Sequence, residues 1–243
     1  MTLSEFTVIL SLACEQNSLP APISQQSEHL FCLLELLVEE NNKYNLTAIT
    51  SPENVIYKHF VDCLMLAQHI APNLTVIDVG CGAGFPSLPL AIARPDLKIT
   101  SLDSTAKKIH FIELASERLG LQNISVLCGR AEEFAHNAAY RDTFDVATAR
   151  AVANFPVLCE LCLPFVRPHG QFIAMKGRFS ESEFNISPSS LGQLSAKDLD
   201  ILPYSLNINQ DCEQRTLVKL NKIGKTRDNF PRKYAQISKN PLK

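Results

Sequence analysis

Hydrophobic positions recur with two different periods along this 243-residue chain, and the change comes near Pro72. Before it, Leu30, Leu33, Leu34, Leu37 and Val38 return every three or four residues, with Glu28, Glu35, Glu39 and Glu40 on the other faces. Side chains three and four apart share one face of an α-helix, so this stretch predicts an amphipathic helix. Asn41-Asn42 is expected to end it. Ser51-Pro52-Glu53 predicts a second helix, with Ser51 as its cap and Pro52 in the first turn, running to about Ile70 before Ala71-Pro72-Asn73 stops it. After Pro72, short apolar runs alternate with stretches of helical length. They predict strands at 74–79, 98–103, 124–128, 143–148 and 170–175, and helices at 86–94, 105–119, 130–137 and 154–163. An unbroken run such as Thr75 to Val79 indicates a strand covered on both faces, and the β–α alternation indicates a doubly wound, mostly parallel sheet. Beyond Phe179 the pattern weakens: 180–198 is polar and rich in Ser. Leu202 to Leu206 and Arg215 to Leu220 then read as two late strands forming an antiparallel hairpin. The expected organisation is an N-terminal helical cap (1–72), an α/β domain (73–221) and a C-terminal tail (222–243).

Composition adds limits. At 46% hydrophobic and 20% charged residues the chain can bury a full core. No apolar run reaches the roughly 20 residues that span a bilayer, and Met1 to Phe6 lacks a basic leader region, so a cytoplasmic location is expected. Eight cysteines are scattered through apolar segments, which suits buried free thiols in a reducing compartment. Cys159 and Cys162 have redox or zinc-like spacing, yet they fall within the apolar stretch Phe155 to Leu163 and no second close pair exists, so they read as core. The six histidines are dispersed, and no metal is expected. Net charge is only −2, but from Lys222 to Lys243 there are seven Lys or Arg and one acid, Asp228. A basic tail on an acidic body points to an anionic partner, with RNA first, or simply to a solvated tail.

The first apolar run leads into Asp78-Val-Gly-Cys-Gly-Ala-Gly-Phe-Pro86. A strand, a glycine-rich turn and a helix form the layout of a nucleotide-type cofactor site, because glycines permit sharp turns and leave no Cβ in the ligand's way. Asp103 closes the next strand about twenty residues on; an ionised acid there offers two acceptor oxygens to two ribose hydroxyls, with Ser104 as the cap of the following helix. Dinucleotide loops read G-x-G-x-x-G. Here the glycines stand at 80, 82 and 84, Phe85 occupies the place of the missing glycine, and Pro86 removes an amide donor a diphosphate would use. S-adenosyl-L-methionine carries no phosphate but does carry an ammonium group, which Asp78 is suited to orient directly or through water. The spacing therefore favours the methyl donor over a nicotinamide cofactor. After the third strand, the Ala131 amide and the Glu132 side chain are placed to meet the adenine edge.

The acceptor is narrowed by what is missing. The fourth strand leads into Thr148 to Asn154 rather than the Asn/Asp-Pro-Pro-aromatic turn that holds an exocyclic amine, and no Pro-Cys pair offers a nucleophile for carbon methylation. No His–acid cluster suits base- or metal-assisted O-methylation. A nucleophile with an exposed lone pair needs no base, and guanine N7 is one such atom; catalysis would then be proximity and in-line alignment. Arg150, just past a strand end, is placed to order the site, reach the methionine carboxylate or bind phosphate. His59, between Lys58 and Asp62 on one helical face, is the histidine to watch.

Asn45-Leu-Thr-Ala-Ile, Lys58-His-Phe-Val-Asp62, the loop from Asp78 to Pro86, Leu102-Asp-Ser104, Arg150-Ala-Val-Ala, Lys176-Gly and the tail Pro231-Arg-Lys…Ser238-Lys-Asn-Pro-Leu242 together resemble the RsmG (GidB) family. The motifs run in order over nearly the whole chain, although 180–215 carries none of them. The resemblance implies a class I, Rossmann-like methyltransferase that methylates N7 of a guanine in 16S ribosomal RNA in the bacterial cytoplasm. It implies cofactor contacts from Gly80, Phe85, Asp103, Ser104, Thr105, Ala131, Glu132 and Arg150, to which the loop adds Asp78 and Gly82. RNA phosphates would meet Lys176, Arg178, Arg232, Lys233, Lys239 and Lys243, the partner being 16S rRNA or the small ribosomal subunit and the enzyme a monomer. Competing readings are a nicotinamide oxidoreductase, a methyltransferase for another RNA, a small molecule or a protein, and a binding protein without catalysis.

Overall fold

In the computed structural model, residues 1–150, 153–178, 184 and 186–242 are described. Four helices come first: α1 (Leu3–Gln16), α2 (Ser24–Tyr44), α3 (Pro52–Val55) and α4 (Asp62–Ala67), the last two joined by a π-helical turn, Ile56–Val61. Thr2 and Glu5 close a reciprocal cap on α1, and Ser51 Oγ accepts from Asn54 N to start α3. Helix α2 runs past the expected stop at Asn41-Asn42 to Tyr44, where Asn45 takes a left-handed conformation (φ 50°). The α/β part follows as β1 (Thr75–Val79), α5 (Ser87–Ala93), β2 (Lys98–Asp103), α6 (Ala106–Arg118), β3 (Ile124–Cys128), α7 (Ala131–Phe134), β4 (Phe144–Arg150), α8 (Phe155–Cys162), β5 (Val166–Lys176), α9 (Pro188–Gln193), β6 (Ala196–Ile208), β7 (Asp211–Lys222) and α10 (Tyr234–Lys239). Each predicted strand lies on an observed one, while β5, β6 and β7 begin earlier or end later than the apolar runs alone mark.

The seven strands form one sheet in the order β3-β2-β1-β4-β5-β7-β6, with β7 antiparallel to both neighbours. The chain winds outward from β1 through β2 to β3, then returns to place β4 on the other side of β1. At that reversal the connections leave in opposite directions, opening a crevice beyond the carboxyl ends of β1 and β4. The glycine loop leaves β1 there and Arg150 ends β4 there.

The N-terminal helices share a core with the sheet's helices: Phe6, Leu10, Leu30, Leu33 and Phe60 pack in one cluster with Phe85, Leu88 and Ile112. An isolated 14-residue helix is marginal in water. Burying Phe6 and Leu10 completely, at about 1.5–3 kcal/mol each, is what docks α1. A second core gathers Phe155, Leu158, Phe172, Leu220, Phe230 and Ile237.

The segment after residue 221 is folded onto the body. Lys222 is 1% exposed and its three N–H donors are shared among Leu163 O, Val166 O, Thr226 Oγ1 and Asp142 Oδ1, while the Arg141 guanidinium donates to the carbonyls of Thr226, Arg227 and Phe230. Burial lowers the Lys222 ammonium to about 8, against the attraction of Asp142. The cysteines also divide: Cys14, Cys63, Cys81, Cys159 and Cys162 are buried, but Cys128 and Cys212 are exposed, since each sits near a strand end. No helix among the described residues is long and apolar enough to cross a membrane.

Candidate functional site

The loop after β1 is built on three left-handed glycines, Gly80 (φ 74°), Gly82 (φ 58°) and Gly84 (φ 81°). At Gly84 a Cβ would stand 2.5 Å from Leu88 Cδ1, so only glycine lets the loop lie against α5. At Gly82 nothing crowds the position; its need is the backbone turn, which aims its amide at Asp103. Gly80 N and Cys81 N both donate to Leu102 O, fastening the loop to the end of β2.

Asp103 is 8% exposed and accepts from Gly82 N at 3.0 Å through Oδ2 and from Thr105 N at 2.8 Å through Oδ1. It therefore fixes both loops around it, and each oxygen retains a further lone pair. Lys108 Nζ stands 3.9 Å from Oδ2. The cap of α6 is Thr105 rather than Ser104, because the Asp103 carboxylate has already turned the chain at the Thr105 amide; Ser104 is left exposed on the cavity wall.

Asp78 is corrected in position. It lies fully buried behind the loop and off the cavity wall, with Oδ2 accepting from Ser87 N at the start of α5 and Oδ1 without a partner among the described residues. Burial raises its pKa to about 7, opposed by the Ser87 amide and by Arg150. It braces the loop from below and does not reach into the crevice.

Arg150 meets the π-helical turn. Its Nη1 donates to Lys58 O at 3.1 Å and to Asp62 Oδ2 at 3.4 Å, its Nη2 donates to His59 Nδ1 at 2.9 Å, and its guanidinium carbon lies 5.6 Å from the centre of the Phe85 ring. His59 stacks on the same ring at 4.4 Å. A guanidinium cannot accept, so His59 Nδ1 is the acceptor and its Nε2–H donates to Thr47 Oγ1, 3.1 Å away. Burial and the Arg150 charge lower the imidazole to about 3, which keeps it neutral. Asp62 also accepts from Tyr204 Oη at 2.7 Å and pairs with Arg215 on β7, and Lys58 pairs with Glu213 at 2.6 Å. The wide π turn puts Lys58, His59 and Asp62 on the cavity together.

These groups line a cavity of about 770 Å³ that runs from Gly80, Gly82 and Phe85 past Asp103, Ser104 and Thr105 to Ala131 and Glu132. On its other side stand Arg150, Lys176, Gly177 and Arg215, with Leu46, Thr47 and Ile49 from the stretch after α2. Lys176 Nζ donates to Ala153 O. Arg178 is exposed beyond it, and Lys233 and Lys239 are exposed on the C-terminal segment. Arg232 is corrected: its Nε and Nη2 grip the two carboxylate oxygens of Glu160, at 2.8 and 2.6 Å, and Glu160 is fully buried. A guanidinium committed to a buried carboxylate is an anchor, not a phosphate contact. Ala151, Val152 and Lys243 lie outside the described residues. The motifs did not point to Lys108, Tyr204, Glu213, Arg215 or Tyr234. Of these only Lys108, one turn past Asp103, had a local signal. No group of His, Cys, Asp and Glu with metal-binding geometry occurs among the described residues.

The fold has counterparts. M. jannaschii TYW2 in complex with AdoMet superposes with a TM-score of 0.53 at 13% identity, over 71% of this chain and 78% of that one. A SAM-dependent O-methyltransferase from Thermotoga maritima gives 0.50 at 14%, over 79% and 72%; at such identities the likeness is one of fold. In sequence, the Ribosomal RNA small subunit methyltransferase G of Clostridium botulinum (strain Loch Maree / Type A3) is 41% identical over 98% of this chain and all of its own length. That of Deinococcus deserti is 39% identical over 98% and 97%. The profile of GidB, rRNA small subunit methyltransferase G, matches residues 26–211, and the chain belongs to that family.

Proposed function

We propose that the protein transfers the methyl group of S-adenosyl-L-methionine to N7 of a guanine in 16S ribosomal RNA. The observation that carries this reading is the composition of one continuous cavity. One end is the glycine loop fixed by Asp103, and the wall holds six basic side chains, Lys58, Lys108, Arg130, Arg150, Lys176 and Arg215, against Asp62, Asp103 and Glu132. On a chain of net charge −2 this is a local excess of positive charge suited to a polyanion. The names of the relatives agree with such a substrate.

The residues present fit the methyl donor. Gly82 leaves open space where a Cβ would project, and Asp103 keeps lone pairs for two ribose hydroxyls. Ala131 and Glu132 bound the end assigned to adenine, and Arg150 faces the end assigned to the methionine carboxylate. When bound, the donor supplies an electrophilic methyl on a positively charged sulfur. Transfer to guanine N7 would form the N–C bond from the N7 lone pair as the S–C bond breaks, with S-adenosylhomocysteine as the leaving group; that lone pair carries no proton, so no base would be required. His59 is not available as one: burial and Arg150 make its imidazole a poor proton acceptor, its one ring lone pair is taken by Arg150 and its N–H by Thr47. The contribution of Arg150, His59 and Phe85 is a rigid wall that orients the acceptor. In this reading the protein is a cytoplasmic monomer acting on 16S rRNA or the small subunit.

Incubating the protein with isotopically labelled S-adenosyl-L-methionine and 16S rRNA or small subunits, then digesting the RNA for mass analysis, tests the proposal. Labelled 7-methylguanosine is expected. Label on an exocyclic amine, or no label in RNA, would refute it.

A further inference from the structure

Tyr234, the first residue of α10, lines the crevice and is 39% exposed. The segment that carries it is held on two sides. His136 Nε2, just after α7, lies 2.8 Å from Pro231 O, and Arg232 clamps Glu160 on α8, while Ile237 is buried beneath. These anchors set the start of α10 between α7 and α8, at the part of the cavity bounded by Ala131, Glu132 and Leu161. The other aromatic ring of the wall, Phe85, is buried and already stacked by His59, with the Arg150 guanidinium also near it. Among the described lining residues Tyr234 is therefore the aromatic surface left open. Purines bind sequence-tolerantly by stacking on such faces.

We propose that Tyr234 forms the aromatic wall of the purine subsite, packing against the adenine of S-adenosyl-L-methionine and of its product S-adenosylhomocysteine. This rests on the cofactor assignment above. The C-terminal segment is then part of the cofactor site, and the Arg232–Glu160 clamp serves to place it.

The test is calorimetric titration of S-adenosylhomocysteine into the full chain and its Tyr234→Ala, Tyr234→Leu and Tyr234→Phe variants, each checked for an unchanged melting transition. Alanine is expected to weaken binding by roughly 5- to 150-fold, the range of base–aromatic stacking, with leucine intermediate and phenylalanine restoring it. The chain has no Trp and five Tyr, so tyrosine emission can be followed directly: binding should quench the wild type more than Tyr234→Phe. Equal affinity in wild type and Tyr234→Ala would overturn the assignment of Tyr234 alone, as would a variant whose only change is a higher KM for RNA. A wild type that binds no S-adenosylhomocysteine would instead remove the cofactor reading, and this proposal with it.

Discussion

Two acids flank the glycine loop, and their surroundings give them different work. Asp103 holds the amides of Gly82 and Thr105, so Asp103→Ala frees both loops as well as removing the ribose acceptor. Cofactor affinity is expected to fall by at least about 100-fold, the effect of losing two charge-assisted hydrogen bonds at about 1.5–3 kcal/mol each, with calorimetry as the measure. Asp78 is protonated more readily when folded, at about 7, than its ordinary 3.8. The folded chain then retains a proton that the unfolded chain releases between those values. This group favours folding below about pH 4, and the benefit is lost as pH rises through 7. Asp78→Asn should gain stability relative to wild type as pH rises, measured by urea unfolding at about pH 5 and about pH 8; a pH-independent difference would contradict the burial argument. His59 acts in the opposite sense. Its folded value, about 3, lies below the usual 6.5, so its contribution is full above about pH 6.5 and is lost as pH falls toward 3. His59→Gln, whose amide can accept from Arg150 and donate to Thr47, should flatten that acid-side loss. Because no base is required, any step near neutrality in the kcat–pH profile of the wild type should disappear in Asp78→Asn rather than report a catalytic base.

At the scale of elements, the joints decide which side chains serve the site. The π turn at Ile56–Val61 lies within a helical stretch that the sequence reads as continuous, and it gathers Lys58, His59 and Asp62 at one wall. The hairpin β6–β7 reaches back to the same place through Tyr204, Glu213 and Arg215. Periodicity located both elements, because it reports burial along one segment. It could not report their meeting, because residues about 142 and 155 apart in the chain are the ones that pair. The C-terminal segment teaches the same lesson: Arg232 and Lys233 are adjacent and carry the same charge, yet one grips Glu160 and the other is exposed. Arg232→Ala keeps the backbone amide on Glu160 but leaves this buried carboxylate without its counter-charge, and should cost about 3–5 kcal/mol in urea unfolding. A loss below about 1 kcal/mol, the level of an exposed ion pair, would show the clamp to be a surface contact.

Over the whole molecule, net charge conceals the distribution that matters. The basic excess of residues 222–243 is divided between internal anchors, Lys222 and Arg232, and exposed groups such as Lys233 and Lys239, while the cavity wall gathers its own six cations. If exposed lysines meet RNA phosphates, the double variant Lys233→Ala/Lys239→Ala should lower the dependence of log binding constant on log salt by about 0.7 for each phosphate no longer neutralised. An unchanged slope in filter binding across a salt series would leave the wall cations as the groups that hold RNA.

Local physics in the sequence determined the order of strands and helices, the left-handed glycine turn after β1 and the acid at the end of β2, because period, chirality and hydrogen-bond valence act over a few residues. The motifs were also enough to identify the family. Only the tertiary structure decided which acid faces the crevice and which supports it, which cations are free for a partner, and that Arg150 is held by His59 and Asp62, 91 and 88 residues earlier in the chain. Those outcomes depend on burial and on partners brought together by the winding of the sheet, and burial sets the charge and reach of a side chain whatever its neighbours in sequence.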